Sequence, residues 1–310
     1  MNVKAYIERK IEDIRKSAGR EKAISALSGG VDSSACTVLA ARAIGGKLKC
    51  IFIDDGLMRE QEPERVGRIF HDLGIKVDVV NRRQEFFAAL RGKTDPEEKR
   101  KAFRHVFYSV FGREVLKSGA RFLVQGTIKA DILETKGGVK TQHNILEQIG
   151  INPEQGYGFK VIEPLKDLFK DEVRVVAHAL GLPKEIYTRM PFPGPGLATR
   201  IVGEVTPSRV AVVRSATRIV EEEILRFKPF QAFAVLLSDQ GTGVEKGRRK
   251  FGDIIIIRSV ESKDALTAKA TRIPWPALEK MTRRILRELP QVTRVAYELT
   301  AKPPATIEYI

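Results

Sequence analysis

The chain has 310 residues, and at roughly 150 residues per domain this length predicts about two domains. Apolar residues make up 43% of the chain, which is enough for a sizeable core and excludes wholesale disorder. The 54 Lys and Arg residues outnumber the 39 Asp and Glu residues, so the net charge is +15 and implies a polyanionic partner: a nucleotide, a nucleic acid, an acidic lipid or an acidic protein.

The sequence predicts neither a membrane span nor a signal peptide. The longest aliphatic runs are as short as Ile254–Ile257. Residues 1–16 alternate charged and apolar side chains at helical spacing, which predicts an amphipathic surface helix. The two cysteines are too few for a disulfide scaffold or a four-cysteine metal site. We therefore expect a soluble, cytoplasmic protein.

Short apolar runs and helical patterns alternate over the first two-thirds of the chain. The predicted strands are Ala23–Leu27, Cys50–Ile53, Lys76–Val80 and Arg121–Gln125, and the predicted helices are Ser33–Ile44, Glu62–Leu73 and Pro96–Lys117. Strands separated by helices predict an α/β fold with a doubly wound parallel sheet. Such sheets bind ligands beyond the carboxyl ends of their strands, where the strand order reverses.

Two segments interrupt this alternation. Residues 134–158 are rich in glycine and polar side chains and exceed the usual ~12–15-residue limit for a structureless loop, so we expect a functional lid or a small irregular element. A helix over Lys170–Leu180 follows. Met190–Leu197 then holds three prolines and two glycines, which indicates a domain junction and divides the chain into residues 1–189 and 190–310.

The pattern beyond the junction predicts a smaller α+β domain. Its helices are predicted over Pro207–Phe227 and Pro276–Leu289, and its strands over Gln231–Leu237, Asp253–Val260 and Thr293–Leu299. A sheet of this kind often leaves an apolar face for a partner subunit. We therefore expect a partner subunit to pack on this domain.

The segment Ser28-Gly29-Gly30-Val31-Asp32-Ser33-Ser34 carries the strongest chemical signal. It follows a predicted strand directly and leads into a helix. Consecutive glycines allow a tight turn whose N–H groups face a ligand, and the helix N-terminus adds a partial positive charge, so the loop is suited to phosphate. It lacks the Lys of the GxxxxGK[ST] motif. The alternative is an ordinary strand–helix turn in which Asp32 or Ser33 caps the helix.

This loop resembles the pyrophosphate-binding loop of the ATP-pyrophosphatase superfamily, whose members adenylate their substrates. Further stretches resemble GMP synthetase in its own motif order: Phe52–Gly56, Asp95–Lys101, Gln125–Ile128, Glu163–Arg174, Pro191–Leu197 and Lys302–Glu308. Because no glutaminase domain with a Cys nucleophile is evident, the chain resembles the separate ATP-pyrophosphatase subunit of two-subunit GMP synthetases, the arrangement typical of archaea.

The resemblance implies a two-step reaction and two cofactors, ATP and Mg²⁺. Xanthosine monophosphate (XMP) attacks the α-phosphate of ATP and releases pyrophosphate, and ammonia then displaces AMP to give GMP. A separate glutamine amidotransferase subunit would supply the ammonia. For ATP the resemblance implies Ser28, Gly29, Gly30, Val31, Asp32, Ser33, Ser34, Asp54 and Gly126, with Asp32 as the Mg²⁺ ligand.

Catalytic roles are implied for two groups of residues. The family's lid corresponds to Asp131, Glu134, Lys136, Lys140 and His143, although Gln142 stands where the family favours a histidine. Lys170, Asp171 and Glu172 open a helix, where the acidic pair suits the helix dipole and the lysine does not. The sequence shows no local compensation for Lys170, which favours a functional role.

For XMP the resemblance implies a rigid wall and a set of polar contacts. The wall is Pro193, Gly194, Pro195 and Gly196, with backbone donors at the glycines. The remaining implied contacts are Arg100, Arg200, Gln231, Lys302, Thr306, Ile307 and Glu308. A C-terminal tail normally frays, so bound XMP is expected to fasten this one.

Two other functions stay open at this point. An adenylating enzyme of the same superfamily that modifies tRNA would suit the positive charge. However, sulfur-transferring members commonly need paired cysteines, and Cys36 and Cys50 have the pattern of small core residues. A basic RNA-binding module is disfavoured. Such a module would interleave aromatic with basic side chains, whereas the aromatic residues of this sequence lie largely at the spacing of core positions. We therefore expect no nucleic acid and no membrane among the partners.

Overall fold

The computed structural model describes residues 2–136 and 160–310, with side chains described outside 133–136. The chain divides into two compact units. The first comprises Met1–Asp54, Gln61–Arg82 and His105–Arg189, and the second comprises Asp55–Glu60, Arg83–Arg104 and Met190–Ile310. Two segments of the range 1–189 thus pack in the second unit, where Lys99 Nζ donates to the Ile201 carbonyl at 2.7 Å. The division into domains at residues 189 and 190 stays a prediction.

The first unit is built on a parallel sheet of five strands in the order β3-β2-β1-β4-β5. The strands are β1 (Ala23–Leu27), β2 (Leu48–Asp54), β3 (Val77–Asn81), β4 (Phe122–Val124) and β5 (Lys160–Ile162). The sequence predicted the first four, and the doubly wound α/β fold is confirmed. Sequence analysis missed β5 because its apolar run is only Val161 and Ile162, whereas β4 is apolar throughout.

Helices connect these strands. Their bounds are α1 (Val3–Ala18), α2 (Val31–Ile44), α3 (Glu62–Asp72), α4 (Arg83–Leu90), α5 (Pro96–Ser118), α6 (Lys129–Lys136), α7 (Lys170–Ala179) and α8 (Lys184–Tyr187). The predicted amphipathic N-terminal helix is α1, which buries Tyr6, Ile7 and Ile14. Helix α4 was not predicted, because eight residues span barely two turns of apolar periodicity.

The second unit holds a four-stranded sheet and two longer helices. Its elements are α9 (Pro207–Ile224), β6 (Gln231–Glu245), β7 (Arg248–Glu261), β8 (Lys269–Ala270), α10 (Trp275–Glu288) and β9 (Val292–Glu298). Strand β7 pairs antiparallel with β6 and β8 and parallel with β9. The predicted α+β arrangement is confirmed.

The β6–β7 hairpin is longer than predicted. Its turn is Lys246–Gly247, and both residues have positive φ, 50° and 76°, as a two-residue type I′ turn requires. The ends of β6 and β7 next to this turn are largely polar, so the sequence shows no alternation of apolar residues that would predict them. None of the described helices is long and apolar enough to cross a membrane.

Candidate nucleotide sites in each unit

The loop 28–34 lies at the carboxyl end of β1, the strand at which the sheet order reverses. Gly29 has φ +74°, a backbone conformation that favours glycine. Ser33 Oγ accepts from the Ser28 N–H at 3.2 Å and lies 3.0 Å from Ser28 Oγ, which closes the loop on itself. Gly30 caps α2 without a side-chain hydrogen bond, so the predicted capping by Asp32 or Ser33 does not occur there.

Gly126 follows β4 and lies against this loop. A Cβ atom at this position would lie 3.0 Å from the Ser33 nitrogen and 3.1 Å from the Asp32 carbonyl carbon. Both are backbone atoms of the first turn of α2, which cannot move aside cheaply. Glycine at position 126 therefore lets the end of the strand pack on the loop 28–34. Sequence analysis did not supply this reason.

Lys170 and Asp32 join the N-termini of α7 and α2. Lys170 Nζ lies 2.5 Å from Asp32 Oδ2, and the two side chains are 46% and 26% exposed. The expectation that Lys170 lacks local compensation is therefore wrong, because Asp32 offsets its unfavourable place at a helix N-terminus. The pair holds a cation beside the loop that sequence analysis assigned to phosphate.

Asp32 also fits a magnesium ion. Its Oδ1 is buried and has no hydrogen-bond partner. No group of three or more potential metal ligands occurs among the described residues. Mg²⁺ is commonly held by one or two carboxylates together with substrate phosphates and water, so one orphaned carboxylate oxygen at a phosphate-type loop suits it.

Asp171 and Glu172 make local contacts at the start of α7. Glu172 Oε2 accepts from the Phe169 N–H at 2.9 Å, which caps the helix. Asp171 is 92% exposed at its side chain and pairs with Arg174 one turn along. These contacts account for both acids structurally, and their catalytic role stays a prediction.

The remaining predicted residues of the first unit are only partly described. Asp54 ends β2 and is buried, as expected for a strand end at the ligand edge of the sheet. Asp131 Oδ2 accepts from the Ile128 N–H at 3.0 Å and so stabilises the start of α6. The predicted lid positions Glu134, Lys136, Lys140, Gln142 and His143 lie outside the described side chains.

The first unit also contains a pair that sequence analysis missed. Arg189 makes a two-pronged ion pair with Glu62, and its Nη1 donates to the Gly29 carbonyl at 3.0 Å. Arg189 and Glu62 lie 127 positions apart in the chain. A single sequence holds no signal that joins residues at such a separation.

Arg200 and Glu308 form a buried ion pair in the second unit. The Arg200 side chain is fully buried, and its Nε and Nη2 lie 3.2 and 3.1 Å from the Glu308 carboxylate. The guanidinium lies over the rings of Phe192 and Phe233, at 4.8 and 4.1 Å from their centroids. Gln231 Nε2 donates to the same carboxylate. The structure thus brings three predicted XMP residues together.

The proline- and glycine-rich wall is fixed by the segment 55–60. Gly196 has φ +60°, and a Cβ there would lie well inside 3.0 Å of the Leu57 carbonyl oxygen. The Leu197 N–H donates to that oxygen at 2.8 Å. The Gly196 N–H already donates to the Pro193 carbonyl at 3.0 Å, so the expectation that it offers a donor to a ligand is wrong.

The C-terminal tail is held by the protein itself. Arg258 Nη2 donates to the Thr306 carbonyl at 3.1 Å, and Lys302 Nζ donates to the Ala265 carbonyl at 2.8 Å. Ile307 is buried against Val260 and Ala268. The expectation that the tail needs XMP to fasten it is therefore wrong.

Thr306 and Arg100 make short-range contacts. Thr306 Oγ1 donates to the Glu308 carbonyl at 2.5 Å, which closes a turn in the tail. Arg100 pairs with Glu97 one turn earlier on α5. Neither contact tests the predicted binding of XMP.

Both cysteines are buried free thiols, as predicted. Burial raises the pKa of Cys50 to about 12 and the pKa of Cys36 well above its usual value. Thiols held neutral in this way are poor nucleophiles, which disfavours sulfur transfer.

Comparisons with known proteins identify the family. Residues 218–309 match the family described as GMP synthase C terminal domain, and residues 3–194 match NAD synthase. A subunit of the glutamine-hydrolyzing GMP synthase of Pyrococcus abyssi is 49% identical over 312 residues, and that of Archaeoglobus fulgidus is 51% identical over 310; each alignment covers 100% of both chains. The same subunit of Methanoregula boonei is 53% identical over 305 residues, 98% of each chain.

The chain belongs to this family of GMP synthase subunits. This confirms the resemblance drawn from the motifs, and it makes the protein an enzyme, a ligase that forms C–N bonds. In this GMP synthase subunit the NAD synthase-type region includes the parallel sheet of the first unit. The GMP synthase C-terminal region covers the sheet of the second unit.

Proposed function

We propose that this GMP synthase subunit converts XMP to GMP with ATP and ammonia. In the first step the C2 oxygen of XMP forms a bond to the α-phosphorus of ATP, and the bond to the β-phosphate oxygen breaks to release pyrophosphate. In the second step ammonia bonds to C2, AMP leaves with the oxygen, and the extra protons pass to solvent. The full-length similarity to subunits of GMP synthases carries this proposal.

The loop 28–34 and Lys170 would stabilise the pyrophosphate as it leaves. Charge builds up on the β-phosphate oxygens in this step, and fixed N–H donors and cations lower the barrier most where charge develops. The first turn of α2, which has no side-chain cap, offers such donors, and Lys170 offers the cation. Magnesium, held by Asp32, would neutralise phosphate charge when bound.

The group around Glu308, whose side chain is 21% exposed, would receive the purine of XMP. Its carboxylate accepts hydrogen bonds, so it suits a ring N–H, and Gln231 can both donate and accept. Arg200 holds the carboxylate in place. Arg100 and Lys302 would supply positive charge for the nucleotide phosphate.

Ammonia would come from a separate glutamine amidotransferase subunit. The names of the relatives support this, because they describe an enzyme that hydrolyses glutamine and of which each relative is one subunit. We further propose a homodimer through the second unit. Val244 and Phe251 are 75% and 69% exposed on the β6–β7 hairpin, and a second copy of this surface would cover them.

The reaction is tested with the purified protein, XMP, ATP, Mg²⁺ and an ammonium salt. We expect GMP, AMP and pyrophosphate in equal amounts, measured by chromatography, and no GMP when XMP is omitted. Adding glutamine in place of ammonium should give GMP only when an amidotransferase subunit is present. Absence of GMP under saturating ammonium would overturn the proposal.

A further inference from the structure

We infer that Arg189 and Glu62 are positioning residues for the pyrophosphate loop. Neither belongs to a motif used to assign the site, and both lie against Gly29 at its tight turn. The inference rests on the proposed function, since it gives the pair a part in binding the pyrophosphate portion of ATP.

The contact sets the direction of one peptide group. Arg189 Nη1 donates to the Gly29 carbonyl, and the peptide bond from Gly29 to Gly30 is trans. In a trans peptide the carbonyl and the following N–H point in opposite directions. Arg189 therefore turns the Gly30 N–H away from itself and toward the Ser28 hydroxyl, which accepts from it at 3.4 Å. This hydrogen bond is long, so the Gly30 N–H remains able to donate to an anion.

Glu62 holds the Arg189 guanidinium beside the Gly29 carbonyl. Its side chain is 2% exposed and that of Arg189 is 14% exposed, so the pair is largely shielded from water. The carboxylate accepts one hydrogen of Nη1 and one of Nη2, and Nη1 also donates to the Gly29 carbonyl.

The same pair explains why position 29 is glycine. A Cβ there would lie well inside 3.0 Å of Glu62 Oε1 and 3.0 Å from Arg189 Nη1. The backbone also has positive φ, which a larger residue would strain. The ion pair and the loop thus fit together as one unit, in which the pair acts on the loop through the backbone.

The decisive variant replaces Glu62→Leu and Arg189→Met together. Replacing a buried ion pair by apolar side chains of similar volume is often tolerated, whereas removing one partner leaves a buried charge. The matched control is Arg65→Met with Glu185→Leu, because this exposed pair also joins α3 to the chain just before residue 189. We measure the unfolding midpoint, the dissociation constant of inorganic pyrophosphate with Mg²⁺ by calorimetry, and the KM values for ATP and XMP.

We expect the Glu62/Arg189 variant to weaken pyrophosphate binding and raise the KM for ATP about tenfold or more, the scale for a misdirected hydrogen bond to a charged group. The KM for XMP and the control variant should stay at wild-type values. Arg189→Lys keeps one donor for the Gly29 carbonyl and should recover part of the loss. A folded double variant with wild-type pyrophosphate and ATP constants would overturn the inference, as would an equal change in the KM for XMP.

The binding measurement separates this inference from the proposed reaction. If the wild-type protein formed no GMP, the proposed function would fail, yet the pyrophosphate constants would still test Arg189. If the double variant did not fold, two single variants would decide. Arg189→Lys keeps the charge and one donor, so weaker pyrophosphate binding in Arg189→Gln than in Arg189→Lys would support the inference. Equal binding in the two variants would overturn it.

Discussion

Lys170 is the side chain on which the proposed chemistry depends most directly. It brings a cation to the loop, where Asp32 holds it. If ATP and magnesium engage Asp32 as proposed, the same cation would be available to the departing pyrophosphate. A residue that stabilises developing charge affects the rate of the chemical step more than substrate affinity.

We predict that Lys170→Ala lowers kcat for XMP adenylation about 10²–10³-fold, the loss typical of removing one group that stabilises transition-state charge. Pyrophosphate release from ATP in the presence of XMP measures this. Lys166→Ala is the control, because Lys166 is an exposed lysine on the same approach to α7. Near wild-type adenylation by Lys170→Ala would contradict the assignment.

Glu308 supplies the negative charge that pairs with the buried Arg200. We predict that Glu308→Gln destabilises the protein by about 3–5 kcal/mol, because Arg200 stays buried without a counter-charge. Denaturant unfolding measures the free energy. Glu245→Gln breaks an exposed pair with Lys250 in the same unit and should cost under about 1 kcal/mol. Equal effects of the two substitutions would contradict the prediction.

At the scale of elements, the site depends on how closely a strand end approaches a helix. Gly126 at the end of β4 packs on the backbone of the first turn of α2. Because both sides of this contact are backbone, the approach cannot be relieved by a side-chain rotation. The geometry of the loop 28–34 thus depends on Gly126, which follows the neighbouring strand β4.

We predict that Gly126→Ala destabilises the first unit by about 1–3 kcal/mol and raises the KM for ATP, since the added methyl must push the loop away. Gly67 in α3 provides the matched control, with open space around a Cβ and a helical backbone. Gly67→Ala should stabilise by about 0.5–1 kcal/mol. Thermal unfolding and ATP kinetics would refute the prediction if both variants behaved alike.

At the scale of the whole molecule, buried titratable groups set the response to alkaline pH. The Cys50 thiol stays neutral in the folded protein because burial raises its pKa to about 12. In the unfolded chain a thiol ionises near pH ~8.5. The folded state thus binds more protons above that pH, so its stability falls as pH rises. Burial lowers the pKa of Lys99 to about 8, which acts in the opposite direction between about pH 8 and 10.4.

Comparing the wild type with Cys50→Ala isolates the thiol, because the contribution of Lys99 is common to both. We predict that wild-type stability falls more steeply between about pH 8.5 and 11, by up to about 1.4 kcal/mol per pH unit for this group. Urea unfolding at several pH values measures the two slopes. Parallel slopes would show that the Cys50 thiol ionises equally in both states.

The sequence by itself determined the parallel sheet, the tight turn between β1 and α2, and the family. Each of these depends on residues that are adjacent in the chain. They are apolar runs that suit buried strands, two glycines between a strand and a helix, and short motifs of contiguous residues. Such patterns can be recognised without the fold because neighbouring residues favour the backbone conformations concerned.

Only the tertiary structure decided which polar side chains are partners. Lys170 has Asp32, Arg189 has Glu62 and Arg200 has Glu308, at separations of 138, 127 and 108 residues. The Arg189 and Arg200 pairs form because a charge removed from water needs an opposite charge in contact, and the fold determines which one is within reach. The net charge of +15 counts these ions without saying which are neutralised inside the protein and which face a ligand.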